Sequence, residues 1–353
     1  MIDKKLSTKI VTIGPEYVPP KGGVAQCIAS YENAIFEKFI AITNSCEGTT
    51  IRKIWKACTS FLRLFLLLLV NRNIKIVHIH TASYNSFRRS SWYVRLSYML
   101  KRKIVIHIHG GGFKEYYNKE KDFIKPVLAK CDALITLSPS WKCFFEDIVG
   151  HKNVYIVPNI IERPVHVNVN NDGIFHLLYM GHIYKAKGIF DLVEVVDEYQ
   201  DKYRGKFILD IAGGMYDTEM LKQFIVEKHL EDIIHFHGWV SGNEKIKLLN
   251  LADAYILPSY TEGVPISILE AASYGLPILS TPVGGIPEIV TERENGILFS
   301  PGDKLAMREA IDVLINDSEL RNKMGEISKM KSVENYPSQV EMRLKEIYDN
   351  IVN

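Results

Sequence analysis

The sequence predicts an α/β protein built from two doubly wound, parallel-sheet domains, and three observations carry that prediction. Its 353 residues exceed what one hydrophobic core ordinarily organises. Short apolar runs rich in Val and Ile alternate with longer helix-patterned segments from end to end, the order of repeated βα units. A polar stretch with a proline, IERPVHVNVNND over 161–172, interrupts the alternation once, after which it starts again.

In the first half the expected strands are 9–14, 74–80, 103–109, 133–138 and 154–158. They are continuously apolar, as strands covered on both faces must be. Helical periodicity falls on 24–39, 51–70, 90–101 and 123–130. Beyond the linker, strands are expected at 175–181, 207–213, 233–237, 254–259 and 277–281, with helices at 188–200, 217–228, 243–252 and 265–274. The domains are accordingly expected at 1–165 and 166–335, with 336–353 as a closing helix. Two such arrays place a cleft between them, and ligands of doubly wound sheets sit beyond the carboxyl ends of the strands.

Hydrophobic residues make up 47% and charged residues 24%, which fits a folded globular chain, and a net charge of +2 gives no nucleic-acid signature. The five cysteines are odd in number and lack CxxC spacing, which argues against a disulfide framework or zinc site and for a reducing compartment. The first residues lack the order of a signal peptide, and the apolar run 64–70 falls far short of the ~20 residues that span a bilayer. A cytoplasmic protein is expected, with any membrane contact peripheral.

The most informative segment, SYTEGVPISILEAASYG over 259–275, runs from a strand end into a helix. Gly263 lets the backbone approach a ligand, and Pro265 suits a first helical turn because that nitrogen needs no partner there. The amides of Val264, Ile266 and Ser267, with the helix dipole, make an anion site suited to a diphosphate. Glu262 and Glu270 flank it, with seven residues between them. A carboxylate at 262 would repel phosphate, so it is placed against a sugar, where it can stabilise oxocarbenium character. Glu270 lies in the helix, where it can accept from ribose hydroxyls.

This E-x7-E, with AYILPS before it and YGLPILSTPVGGIPEIV and NGILFSPGD after it, resembles family 4 of the glycosyltransferases. The resemblance implies a retaining enzyme of GT-B fold, two Rossmann-like domains facing across a cleft, and a last helix crossing back onto the first domain. It implies a nucleoside-diphosphate sugar as donor and no metal or other cofactor. In MGHIYKAKG the family's Gly-Arg and later Lys-Gly map to Gly181-His182 and Lys187-Gly188. Lys187 is thereby implied on the donor diphosphate. His182 stands where the family has Arg, and a histidine cannot form the guanidinium fork, so Lys185 is the candidate to supply the missing charge. Gly22 and Gly23 resemble the family's glycine pair beside the donor phosphates. His109, before Gly110–Gly112, falls at the family's sugar-contacting histidine. His78, His80 and His107 have spacing compatible with a metal, but no acidic or cysteine ligand is local, so they are read as core residues and no metal is expected. The catalytic set is Glu262, His109 and Lys187.

Between 51 and 103 lie twelve of the 43 bases and none of the 41 acids. Arg52, Lys56 and Arg63 share one side of the first helix there, opposite Ile54, Phe61, Leu64, Phe65 and Leu68. The second is expected to set Arg88, Arg95 and Arg102 against Trp92, Leu96, Met99 and Leu100. Basic charge with aromatic and apolar side chains suits an anionic lipid surface. The expected reaction therefore moves a sugar from a UDP- or GDP-linked donor to a lipid-linked or growing saccharide of a cell-surface polysaccharide, at the inner face of the membrane. The rival readings are a GT-B-fold UDP-sugar epimerase and a nucleotide-sugar-binding relative without catalysis. A dehydrogenase is disfavoured because the first strand–helix turn lacks GxGxxG.

Overall fold

The structure, a computed structural model, describes residues 1–20, 22–150, 153–168 and 172–352. Lys21, in the loop before the first glycine pair, and 169–171, within the expected linker, lie outside the described residues. The chain divides into two compact units, Met1–Ile161 with Glu334–Asn353, and Glu162–Val333, where the sequence placed boundaries at 165 and 335.

The first unit holds a sheet of β1 (Ile10–Pro15), β2 (Ala41–Ser45), β3 (Ile76–Thr81), β4 (Lys103–Ile108), β5 (Ala133–Thr136) and β6 (Val154–Ile156), in the order β2-β1-β3-β4-β5-β6. Every pairing is parallel. Alternation along the strands sends side chains to two cores. Val11, Val77, Ile79, Ile104 and Ile106 meet the helices Thr50–Val70 and Asn85–Met99 on one face. Ile10, Ile76 and Val105 meet the helix Gly23–Ala34 and the last helix, Pro337–Val352, on the other. That last helix buries Val340, Leu344, Ile347 and Tyr348 there, so the chain's final segment belongs to the first unit.

The second unit has β7 (Phe175–His182), β8 (Phe207–Gly214), β9 (Ile234–Gly238), β10 (Ala254–Leu257), β11 (Ile278–Ser280) and β12 (Gly296–Leu298), again all parallel. Their order, β12-β11-β10-β7-β8-β9, is the dinucleotide-binding order with its reversal between β7 and β10. In the first unit the reversal falls between β1 and β3.

Several expected elements shift for physical reasons. The helix expected to run to 39 stops at Ala34, because Ile2 pairs with the backbone of Ile35 and Phe36 and pulls the chain out of helical register. β2 escaped the sequence reading because an edge strand is covered by halves; its residues alternate between buried and half-buried instead of forming an apolar run. β12, three residues at the other sheet's edge, was missed too. The two basic helices also turn differently from expectation. Leu64 and Leu68 are inward, but Ile54 is exposed, together with Trp55 at 70%. Trp92 and Met99, expected on the inner face of the second helix, stand outward at 60% and 75%, and Arg95 lies over the Trp92 ring, 5.5 Å from its centroid.

Candidate active site

The second unit gathers its polar side chains at the β7/β10 reversal. From β7 the chain passes through Gly181 and His182 into one turn of 3-10 helix, Lys185–Lys187, and then Gly188 at φ 68°. A Cβ on Gly188 would lie 2.0 Å from the Pro258 carbonyl oxygen, so only glycine lets this turn touch the loop after β10. Tyr260 N donates to Ala186 O at 2.9 Å and ties the two loops together. The contact delivers Lys187 Nζ to 2.6 Å from Glu262 Oε1, and Ser259 Oγ donates to the same oxygen at 2.7 Å. Glu262 is nearly buried and Lys187 somewhat more open, with Lys185 exposed. A neighbouring loop fixes this carboxylate: Gly285 N donates to Gly263 O at 2.6 Å, and a Cβ on Gly284, at φ 59°, would meet Glu262 O at 2.0 Å.

The helix after Glu262 is Ile266–Ser273, with Pro265 as its cap residue instead of its first helical one. Val264 is buried and already engaged, so the expectation of an anion site rests on the first-turn amides of Ile266 and Ser267. Glu270 is no solvated helix residue: Lys245 Nζ donates to its Oε1 at 2.8 Å. Burial alone would lower the Lys245 ammonium, but the charge and hydrogen bond of Glu270 outweigh it and leave it above its ordinary value. Lys245 and Ser259 were not picked out from the sequence. Lys245 sits 25 residues from its partner on a different helix, Gly242–Leu251, and nothing local marks it.

His182 is packed among aromatic rings that the sequence reading also passed over. Its centroid lies 5.7 Å from Tyr216 and 5.6 Å from Trp239, and Tyr184 is 5.2 Å from Tyr216. Tyr216 and Trp239 are exposed, and Met215 and Tyr216 hold the left-handed backbone at φ 70° and 45°. Consecutive non-glycine residues there are uncommon and concentrate at functional sites. Burial, then the neighbouring Lys187 charge, hold the His182 imidazole below its ordinary value against the opposing effect of Glu262. At neutral pH it is uncharged, so it does not replace the family's arginine as a cation.

In the first unit Gly22 caps the helix Gly23–Ala34 at φ 91°, and Gly23 is its first residue. His109 follows β4, with its Nε2 2.9 Å from His80 Nδ1. Burial holds the His109 imidazole down, to about 3, against a hydrogen bond with Asn159 that raises it. It is a neutral hydrogen-bonding group at working pH. His107, expected to be a satisfied core residue, is buried, and neither of its ring nitrogens has a hydrogen-bond partner among the described residues.

Two family models match successive parts of the chain, Glycosyltransferase Family 4 over residues 44–163 and Glycosyl transferases group 1 over 163–331. An uncharacterised glycosyltransferase of Methanocaldococcus jannaschii is 28% identical over 274 residues, 72% of this chain and 70% of its own. The N-acetyl-alpha-D-glucosaminyl L-malate synthase of Bacillus anthracis is 28% identical over 163 residues, 46% of this chain and 42% of its own. A Haemophilus influenzae glycosyltransferase is spanned over 58% of its length, so the chain covers less than two thirds of some relatives. Among solved structures, sucrose-phosphate synthase from Thermosynechococcus elongatus superposes with a TM-score of 0.75 at 17% identity, over 97% of this chain and 98% of its own. Anabaena HepE, solved with UDP, gives 0.73 at 14% identity over 97% and 100%. These likenesses show the GT-B fold, and the two family models, which together span 44–331, show that the chain belongs to the group 1, family 4 glycosyltransferases.

Proposed function

We propose that this glycosyltransferase is a retaining enzyme that moves a sugar from a nucleoside-diphosphate donor to a lipid-linked or growing saccharide in cell-surface polysaccharide synthesis. The observation that carries the reading is the Lys187–Glu262–Ser259 cluster at the β7/β10 reversal, beside the first turn of Ile266–Ser273. Donor phosphate is assigned to the Ile266 and Ser267 amides, Lys187 and, from the exposed turn, Lys185, with Gly181 and Gly263 leaving room for it. Glu270, held by Lys245, is assigned to the ribose. The exposed faces of Tyr216 and Trp239 offer stacking surface to a base. UDP is preferred over GDP because the HepE structure is described with UDP. For Gly22, Gly23 and His109 of the first unit the family resemblance supports donor-binding roles, His109 as a neutral partner for a sugar hydroxyl.

In the proposed step the bond between the anomeric carbon and the diphosphate oxygen breaks while the acceptor oxygen bonds to that carbon on the same face. The acceptor's proton passes to the departing phosphate. Lys187 and the helix-start amides stabilise the charge gathering on the diphosphate, and Glu262 stabilises the oxocarbenium character of the sugar. No metal is assigned to the transfer. Acceptor binding is assigned to the basic surface of 51–103, resting on an anionic membrane from the cytoplasmic side.

Glu262→Gln tests the assignment. It keeps the shape and the Ser259 contact but releases Lys187 from its ion pair. Turnover should fall at least a hundredfold, about 2.7 kcal/mol, while donor Kd stays the same or tightens as Lys187 turns to phosphate. Turnover within a few-fold of the parent enzyme sinks the role given to Glu262.

A further inference from the structure

We propose that His78, His80 and His107 form a buried binding site in the first unit for one d10 cation, copper(I) or zinc(II). β3 carries His78 and His80, β4 carries His107, and the register sets His80 opposite His107. All three point to the face covered by the helices Gly23–Ala34 and Pro337–Val352, and all are buried to within 1%. One ring nitrogen from each lies within 4.8 Å of the others, a spacing one ion can bridge with modest side-chain adjustment. The sequence shows no acidic or cysteine ligand near these histidines, and in the fold Cys27 Sγ groups instead with His80 and His109, apart from His78 and His107.

The hydrogen bonds around the cluster point independently to a ligand. His78 Nδ1 is 2.7 Å from Tyr348 Oη, and His80 Nδ1 is 2.9 Å from His109 Nε2. With Nδ1–H donating outward in both, the two rings take the tautomer that leaves a lone pair on Nε2. Those Nε2 atoms, and both nitrogens of His107, have no hydrogen-bond partner among the described residues. Buried polar atoms without partners are costly, and four in one cluster are rare. Metal-bound histidines characteristically donate their other N–H to an outer partner, as His78 and His80 do here.

Imidazole prefers copper and zinc to the hard cations, and no carboxylate belongs to the cluster. A dry site with neutral ligands favours the lower charge, so copper(I) is preferred. The site is structural, clamping β3 to β4, and it stands or falls independently of the transfer reaction.

The test is metal content. The full chain, expressed with added zinc or, separately, added copper and purified without chelator, should hold close to one ion per chain. His107→Gln should lower that content tenfold or more. Retention of copper or of zinc that His107→Gln diminishes supports the site, with copper the expected ion. A metal-free parent protein from both media, or undiminished content in His107→Gln, overturns it. Should His107→Gln fail to fold, X-ray absorption at the metal edge of the parent protein decides. A shell containing imidazole nitrogens supports the site, and one without them overturns it.

Discussion

A histidine where the family has arginine differs in both charge and reach, and at His182 the surroundings decide its charge. The ring sits against Tyr216 and Trp239 and near Lys187, and burial together with that charge keeps it neutral at pH 7. Its protonation is therefore displaced to lower pH than an ordinary histidine's. With the proposed assignment of this turn to the donor phosphate, a protonated ring adds a favourable charge there, and donor affinity should rise as pH falls from 7 toward 5. A sugar nucleotide, whose diphosphate takes up no proton in that range, is the ligand to use. The same lowered value works against stability: the unfolded chain binds the proton first, so stability is lost as pH falls through the ordinary imidazole range. His182→Arg should tighten donor binding by roughly tenfold, the order of one charge-assisted hydrogen bond, and flatten the pH profile. Equal affinity and an unchanged profile would separate residue 182 from the diphosphate. At this scale the sequence was partly legible. Glu262, Glu270 and Lys187 stood out because they occupy one short motif and one strand end. Lys245 and the rings of Tyr216 and Trp239 did not, because their proximity arises only when separate βα units stack side by side.

Strands and helices explain where side chains can be placed, and β8 shows the cost of an ionisable group in a sheet interior. Asp210 is buried in mid-strand, 2.7 Å from His176 Nδ1 and 2.7 Å from His237 Nε2. Burial alone would raise its carboxyl, but the two histidine hydrogen bonds outweigh that and hold it below its ordinary value. His176 is correspondingly raised, first by its hydrogen bond to Asp210, against the lowering effect of burial. The sign follows from linkage. The Asp210 contribution is lost as pH falls through its lowered value, and the His176 contribution as pH rises through its raised one. Asp210→Asn should therefore destabilise the protein at pH 6 by about 3 kcal/mol, because it removes the buried carboxylate that pairs with His176 and His237. Urea unfolding at pH 6 and pH 9 checks this, with the smaller difference expected at pH 9. The interior strands were readable as apolar runs because both faces are covered; edge strands β2 and β12 were not, because their burial is partial and short. The helix Gly23–Ala34 was overextended because pairing with Ile2 overrides local propensity.

For the molecule as a whole, the charge asymmetry of 51–103 is the largest feature not used by the donor site. Folding engages part of it: Arg88 pairs with Glu120, Lys103 with Asp132 at 3.0 Å, and Arg102 donates to Leu68 O at 2.9 Å. Arg52, Lys53, Arg63 and Arg95 remain exposed among Ile51, Trp55, Leu62, Leu66 and Trp92. No helix among the described residues is long and apolar enough to cross a membrane. An apolar surface ringed by bases instead fits shallow insertion among anionic headgroups, at ~1 kcal/mol per base. Vesicles containing anionic lipid should bind the protein in a salt-sensitive way, and Trp55→Glu with Leu62→Glu should weaken that binding at least tenfold. Equal binding to neutral vesicles would remove the electrostatic part of this account. The sign bias of 51–103 was plain in the sequence, but the orientation of Trp92 and Met99 was not. Helical periodicity locates a face without saying which neighbour covers it.

The central claim is that the second unit binds a nucleoside diphosphate through Glu270 and the helix that carries it. The most direct measurement is the melting temperature of the protein with UDP, GDP, ADP and CMP, for the parent chain and for Glu270→Ala. One diphosphate, expected to be UDP, should raise the melting temperature of the parent chain by mass action and fail to do so in the variant. No rise with any of the four, or an equal rise in Glu270→Ala, would contradict the account.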